Sequence, residues 1–272
     1  MQYKILTANI AFGLLRMDIA WWNIWHHVVF HGINILFFAV TNALGIDIKY
    51  SLAKRPDGYR MNYLRRNSSL VPILNIIKEE DPDVVVLNEL IYQIHKEGIE
   101  GLLKEQGFSS FSWACMSHHK EATVTTLVAY KGLAESFQIE VPQRFRMGCG
   151  GSVSMLRIND YPLTIFGVHL GHPYTIWRDQ LQTVSEIVKQ EIERGYHLIV
   201  AGDFNRSAEQ INSEKEFASL ELTSVNKNTE PTFVLAPKTL DHIFVQKSTI
   251  IDSVQYTRFG SDHVAITSIL RI

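Results

Sequence analysis

The sequence predicts an α/β fold, and three observations carry that expectation. Short apolar runs rich in Val and Ile, such as Asp83 to Leu87 and His197 to Ala201, have the length and branching of buried strands. Other segments repeat apolar residues at three- and four-residue spacing, which is helical. No repeat, low-complexity stretch or Pro/Gly/Ser linker divides the chain, so a single domain over residues 1–272 is expected, with an apolar insert at about 19–50.

In order, Met1 to Asn9 reads as a strand that starts at once, without the basic start and small-residue cleavage site of a signal peptide. A cytoplasmic protein is expected. Ile19 to Ile46 follows, with no Asp, Glu, Lys or Arg over about 28 residues. Trp22, Trp25, Val29, Ile33, Leu36 and Val40 fall on one helical stripe there, and Gly32 offers a bend. Leu70 to Glu80 is an amphipathic helix that stops before Asp81-Pro82. Asp83 to Leu87 and Thr123 to Tyr130 are strands, and Ser152 to Ile158 with Leu163 to Leu170 form a hairpin around Asn159-Asp160. Trp177, Leu181, Val184, Val188 and Ile192 make a helical stripe ending at Gly195. Leu240 to Val245, Ile250 to Tyr256 and Val264 to Leu270 close the chain as strands.

Composition narrows the function. The formal net charge of -2 argues against a protein that holds a duplex by neutralising many phosphates, which needs an excess of Lys and Arg. The two cysteines, Cys115 and Cys149, have no CxxC partner and no histidine at zinc-finger spacing, so a disulfide framework and a structural zinc are not expected.

Five short segments share a layout in which an apolar run ends in a carboxylate, amide or histidine. They are Thr7-Ala8-Asn9, Leu87-Asn88-Glu89, Val168-His169-Leu170, Gly202-Asp203-Phe204-Asn205 and Ser261-Asp262-His263. Leu240-Asp241-His242 puts a carboxylate at a strand start. In α/β proteins sites gather at strand ends, so these groups are expected to converge.

At these residues the sequence strongly resembles the endonuclease/exonuclease/phosphatase superfamily. Pro82 to Glu89 looks like its strand ending in Gln-Glu, Gly202-Asp203-Phe204-Asn205 like its Gly-Asp-Phe-Asn signature, and Ser261-Asp262-His263 like its closing Ser-Asp-His. The resemblance implies a DNase I-like four-layer α/β sandwich, with two mixed, mostly antiparallel sheets flanked by helices. It also implies a hydrolase of phosphate esters. Glu89 resembles the family's metal ligand, with Asn9 assisting and Asp262 a further ligand. Asp203 and Asn205 look like the pair that orients the attacking water and a phosphate oxygen, and Asp241 with His263 like the Asp-His pair. His169 resembles a histidine that protonates the leaving oxygen or binds phosphate. Whether His263 or Asp203 takes the water's proton stays open. Oxygen ligands favour Mg²⁺, with Mn²⁺ or Ca²⁺ as alternatives. Asn88 departs from the pattern, standing where Gln is common.

Plainer readings compete at several positions. Asn9 alone fits a strand-end turn, and Asp203 and Asn205 fit the approach to a helix whose Ser207-Ala208-Glu209-Gln210 resembles a capping box. His118, His119, His172, His197 and His242 read as surface or strand-end histidines, although His118 or His119 remains a candidate phosphate contact. Arg144 and Arg146, beside Gly148-Cys149-Gly150-Gly151, are further candidate phosphate contacts, with a solvated loop as the equal alternative.

A single membrane span through Ile19 to Ile46 would put Asn9 on the far side of a bilayer from the rest of the site. The insert is therefore expected to leave and return on one side, as an interfacial helix, a shallow hairpin or a flap. Its Trp, His and Asn mixture favours membrane-surface contact, which makes a phospholipid-like phosphodiester the leading substrate class, in the manner of neutral sphingomyelinases. A DNase I-like or abasic-site nuclease ranks second, since Lys54-Arg55, Arg60 and Arg65-Arg66 are the main basic cluster. A non-catalytic binding module ranks third.

Overall fold

The computed structural model describes residues 1–10, 70–114, 124–142, 151–171, 174–226, 230–234 and 238–272. The apolar insert at 19–50, the basic cluster from Lys54 to Arg66, and His118, His119, Arg144, Arg146 and His172 lie outside the described residues.

Two six-stranded mixed sheets face each other. In the first, β1 (Gln2–Asn9), β2 (Val84–Ile91), β3 (Ser110–Trp113), β4 (Val124–Tyr130), β11 (Ile250–Arg258) and β12 (Val264–Arg271) run in the order β11-β12-β1-β2-β4-β3. In the second, β5 (Ala134–Ile139), β6 (Ser152–Ile158), β7 (Leu163–His169), β8 (His197–Asp203), β9 (Leu222–Ser224) and β10 (Asp241–Gln246) run β5-β6-β7-β8-β10-β9. Each sheet has one parallel pair at its centre, β1 with β2 and β7 with β8, and antiparallel partners on both sides. Helices cover the outer faces, which gives the expected DNase I-like four layers.

Strand alternation explains the layering. Ile5, Val84, Val86, Val128, Ile165, Ile199, Ala201 and Ile243 point between the sheets and form the central core. Their neighbours Leu6, Val85, Leu87 and Leu127 point outward, onto α1 (Leu70–Glu80) and α2 (Tyr92–Glu105). Phe166, Val168, Val200 and Phe244 point outward on the other side, against α3 (Tyr174–Glu193).

The helices obey local rules. Ile73, Ile76 and Ile77 bury one face of α1, and Pro72 is tolerated in its first turn, where an N–H has no intrahelical partner. Asp81 ends it in a left-handed conformation (φ 48°), before Pro82. Trp177, Leu181, Val184 and Val188 bury the face of α3, which stops at left-handed Gly195 (φ 85°). The Ser207-to-Gln210 capping box is present and opens α4 (Ala208–Asn212), with α5 (Lys215–Ala218) after it. Among the described residues no helix is long and apolar enough to cross a membrane.

One sequence reading is corrected here. His242 sits at the start of β10 but is not a surface histidine: it is fully buried beside Phe204 and Phe244. Strand parity turns it outward beneath the helices. Its Nε2–H donates to Arg206 O (2.9 Å) while Nδ1 accepts from Asn226 Nδ2 (3.3 Å), so burial leaves no polar atom of the ring unmet. His197 is at a strand start as expected, stacked on Tyr161.

Candidate active site

The central core turns polar at one end. This is the end where β1, β2, β7 and β8 finish and where β4, β6, β10 and β12 begin. Continuing the inward parity of Ile5, Val86, Ile165, Ala201 and Ile243 leads to Asn9, Asn88, His169, Asp203 and Asp241, all of them buried.

Glu89 needs a different device. A regular strand would aim it the same way as Leu87, into the apolar layer under the helices. Instead β2 bulges: Leu87 faces Leu127 and Leu90 faces Thr125, so Asn88 and Glu89 together oppose Thr126 alone. Glu89 takes a left-handed conformation (φ 58°), and Leu90 resumes the outward apolar row. The extra residue frees the carboxylate from the strand's alternation. Asn205 is left-handed too (φ 54°); such backbone costs roughly 1–3 kcal/mol and collects at functional sites.

The groups hold one another across the sheets. Asn9 Nδ2 donates to Asp203 Oδ2 (2.9 Å), and the Asn205 N–H donates to Asp203 Oδ1 (2.7 Å). Asn205 Nδ2 donates to Leu170 O (2.7 Å). His263 Nδ1–H donates to Asp241 Oδ2 (2.7 Å), and Phe233 packs edge-on against the imidazole at 5.1 Å. Thr232 Oγ1 accepts from the Asp241 N–H (3.0 Å), fixing the carboxylate's backbone. Ser261 Oγ donates to Asn9 O (2.7 Å) and to Asp262 Oδ1 (3.2 Å), tying the Ser-Asp-His turn to β1.

Other spacings are wider than hydrogen bonds. His169 Nε2 is 3.7 Å from Glu89 Oε1 and 4.0 Å from Asp203 Oδ2, and His263 Nε2 is 4.0 Å from Asp203 Oδ2. The ligand atoms of Glu89, His169 and Asp203 all lie within 4.8 Å of one another, as do those of Asp203, Asp241 and His263.

Burial pushes the Glu89 carboxyl up to about 8, opposed by the positive His263 and reinforced by the charges of Asp262 and Asp203. For His263 burial works downward, but the Asp241 carboxylate beside it, with Asp203 and Asp262, overrides this and lifts the imidazole to about 10. Asp241 is itself pushed up by burial and pulled back by His263. A buried carboxylate elsewhere is handled otherwise: Glu191 is pinned by Arg157, Arg194 and Thr164, which hold it below its ordinary value against the effect of burial. Among the described residues no Lys or Arg forms an ion pair with Glu89, Asp203 or Asp241. Among the described residues the nearest nitrogen bases are His169 and His263.

A model of the Endonuclease/Exonuclease/phosphatase family matches residues 20–263. The chain belongs to this family. Members of the endonuclease/exonuclease/phosphatase family generally hydrolyse phosphate esters and generally use divalent metals. Among solved structures, ANGEL2, described as a 2',3'-cyclic phosphatase, is 13% identical with a TM-score of 0.62, covering 99% of this chain and 95% of its own. A family protein from Beutenbergia cavernae is 16% identical with a TM-score of 0.60, covering 100% and 72%. The 3' phosphatase NExo from Neisseria, bound to a product DNA hairpin, is 14% identical with a TM-score of 0.60, covering 98% of both chains. At these identities the likeness speaks to the fold. No curated protein matches the chain.

The donor set fits a hard divalent cation. Among the described residues it is rich in oxygen, lacks thiolates, and sets Glu89, Asp203 and Asp262 close enough to raise one another's charge cost with no Lys or Arg paired to Glu89 or Asp203. Two supporting residues had no place in the sequence reading, Thr232 and Phe233 around the Asp241–His263 pair, and nothing in the sequence pattern points to them. Asn88, read as a departure from the family pattern beside Glu89, also bonds across to the second sheet.

Proposed function

We propose that this chain is a divalent-metal-dependent hydrolase of phosphate esters, with the cation held by Glu89, Asn9 and Asp262. The observation that carries the reading is the convergence of Glu89, His169, Asp203 and the Asp241–His263 pair from both sheets onto one buried end of the core. A bound Mg²⁺, or Mn²⁺ or Ca²⁺, supplies charge neutralisation and Lewis acidity to the phosphoryl group.

The chain's own residues do the rest. Asp203 has each carboxylate oxygen held by an amide, from Asn9 and Asn205, which leaves lone pairs aimed to orient and deprotonate water. His263, kept charged by Asp241, donates through Nε2 to the phosphoryl oxygen as negative charge builds. On this reading Asp203 is the base and His263 stabilises charge. His169, 3.7 Å from Glu89, protonates the leaving oxygen.

For the substrate, a membrane-associated, phospholipid-like phosphodiester rests on the uncharged Ile19 to Ile46 stretch directly after Asn9. A nucleic-acid phosphate ester is the second reading, favoured by the DNA product bound to the similarly folded 3' phosphatase. The purified protein and Glu89→Ala are assayed with Mg²⁺, Mn²⁺, Ca²⁺ or EDTA on phospholipid liposomes, plasmid and bis-nitrophenyl phosphate. Headgroup release that needs both metal and Glu89 supports the first reading, and plasmid cleavage with inert liposomes supports the second. Turnover that survives EDTA or Glu89→Ala sinks the metal-dependent reading.

A further inference from the structure

Asn88 is fully buried between the sheets, and its amide reaches three strands. Nδ2 donates to Thr126 Oγ1 on β4 (2.9 Å) and to Val168 O on β7 (3.0 Å), while Oδ1 accepts from the Asp203 N–H on β8 (3.1 Å). Its backbone carbonyl accepts from the Ile10 N–H just past β1 (3.2 Å). Three of these four bonds, all but the one to Thr126, fall at or beside a site group. Glu89 is the next residue, Asp203 is bonded directly, Val168 precedes His169 and Ile10 follows Asn9. Two donors and one acceptor matched to two acceptors and one donor also fix the amide's orientation.

The reach is set by backbone. A Cβ at Gly202 would lie 2.9 Å from Asn88 Oδ1 and 2.0 Å from Val168 O, so the amide is seated against chain that cannot swing aside. A longer side chain would have to push β8 away from β2.

We propose that Asn88 is a positioning residue that sets the span between the Glu89 side and the Asp203 side of the hydrolytic centre. The inference rests on the function proposed above. Residues that orient a metal's ligands typically change affinity or activity by ~10–100-fold when lost, and a misplacement of about 1 Å can cost ~10²-fold in rate.

The test compares wild type, Asn88→Ala, Asn88→Gln and Thr126→Val by Tm, by Mn²⁺ affinity from titration of free Mn²⁺, and by kcat and KM on bis-nitrophenyl phosphate. Thr126→Val breaks the Thr126 contact with Asn88 inside the first sheet and a 2.7 Å bond across to Ser152 Oγ, but leaves Asp203 and Val168 untouched, so it reports loss of buried polar bonding away from the site groups. The expected result is lower Tm in Asn88→Ala and Thr126→Val. Only Asn88→Ala should also bind Mn²⁺ ~10-fold more weakly and lose ~10²-fold in kcat, with KM within about 3-fold. Asn88→Gln, which keeps every polar atom and changes only the reach, should shift affinity and kcat the same way, and it carries the test if the alanine variant does not fold. Asn88 variants that match Thr126→Val in affinity and kcat overturn the inference while the function stands. A wild type that neither binds Mn²⁺ nor turns over overturns the function itself, and the inference with it.

Discussion

Replacing Asp241 with Asn is the sharpest probe of the site, because the same molecule supplies its control. His263 and Asp241 form a 2.7 Å buried pair, and the carboxylate overrides burial to hold the imidazole at about 10. His242 is also buried, with its ring bonded to Arg206 O and Asn226 Nδ2 rather than to a carboxylate, and burial drops it to about 4. Asp241→Asn keeps the size of the side chain and removes the charge. His263 should then fall below the ordinary 6.5, moderated by Asp203 at 4.0 Å. A drop from about 10 to 6.5 corresponds to ~5 kcal/mol. Breaking one side of a buried pair more commonly costs ~3–5 kcal/mol. The assay is an NMR titration of the imidazole carbons from pH 5 to 9. Wild-type His263 should stay protonated throughout and Asp241→Asn should be neutral at pH 7, with kcat down ~10²–10⁴-fold. A variant whose His263 remains charged above pH 7 would refute the claim that Asp241 holds the proton there.

Two further outcomes follow from the packing. Gly202→Ala places a Cβ 2.0 Å from Val168 O at φ 135°, and neither backbone can yield without parting β7 from β8. We expect ~2–5 kcal/mol of destabilisation by denaturant unfolding, and a change under about 1 kcal/mol would show that the strands shift freely. The two buried histidines set an acid limit. With folded values of about 4 against an ordinary 6.5, His95 and His242 stay neutral in the fold while the unfolded chain takes up protons. Their contribution is therefore intact above pH 6.5 and is lost as pH falls toward 4, at up to ~1.4 kcal/mol per unit for each group. His242→Phe should flatten that slope in urea midpoints between pH 7 and 5, and an unchanged slope would assign the acid sensitivity elsewhere.

The sequence made most of this architecture readable because period-two alternation is written residue by residue. Val84, Val86 and Asn88 mark one face of β2, and Val85 and Leu87 the other, so inward polar positions at strand ends could be picked out before any coordinates. Weak patterns were not legible. The edge strand β5 is half-exposed with no clean alternation, and α2 mixes Gly98 and Gly101 into a charged segment. Tertiary matches were hidden altogether. That His242 finds Asn226 and a carbonyl, or that Asn88 spans to β8, depends on residues 16 and 115 positions apart in the chain. The bulge at Glu89 also escaped notice, since it reveals itself only in the ladder with β4.

The division of the site between two like sheets has a consequence for the newly made chain. One sheet carries Asn9 and Glu89, and the other carries His169, Asp203 and Asp241. Neither half holds a complete set. A chain with only one sheet formed would hold only part of the cluster, so the site is complete only when both sheets are packed together.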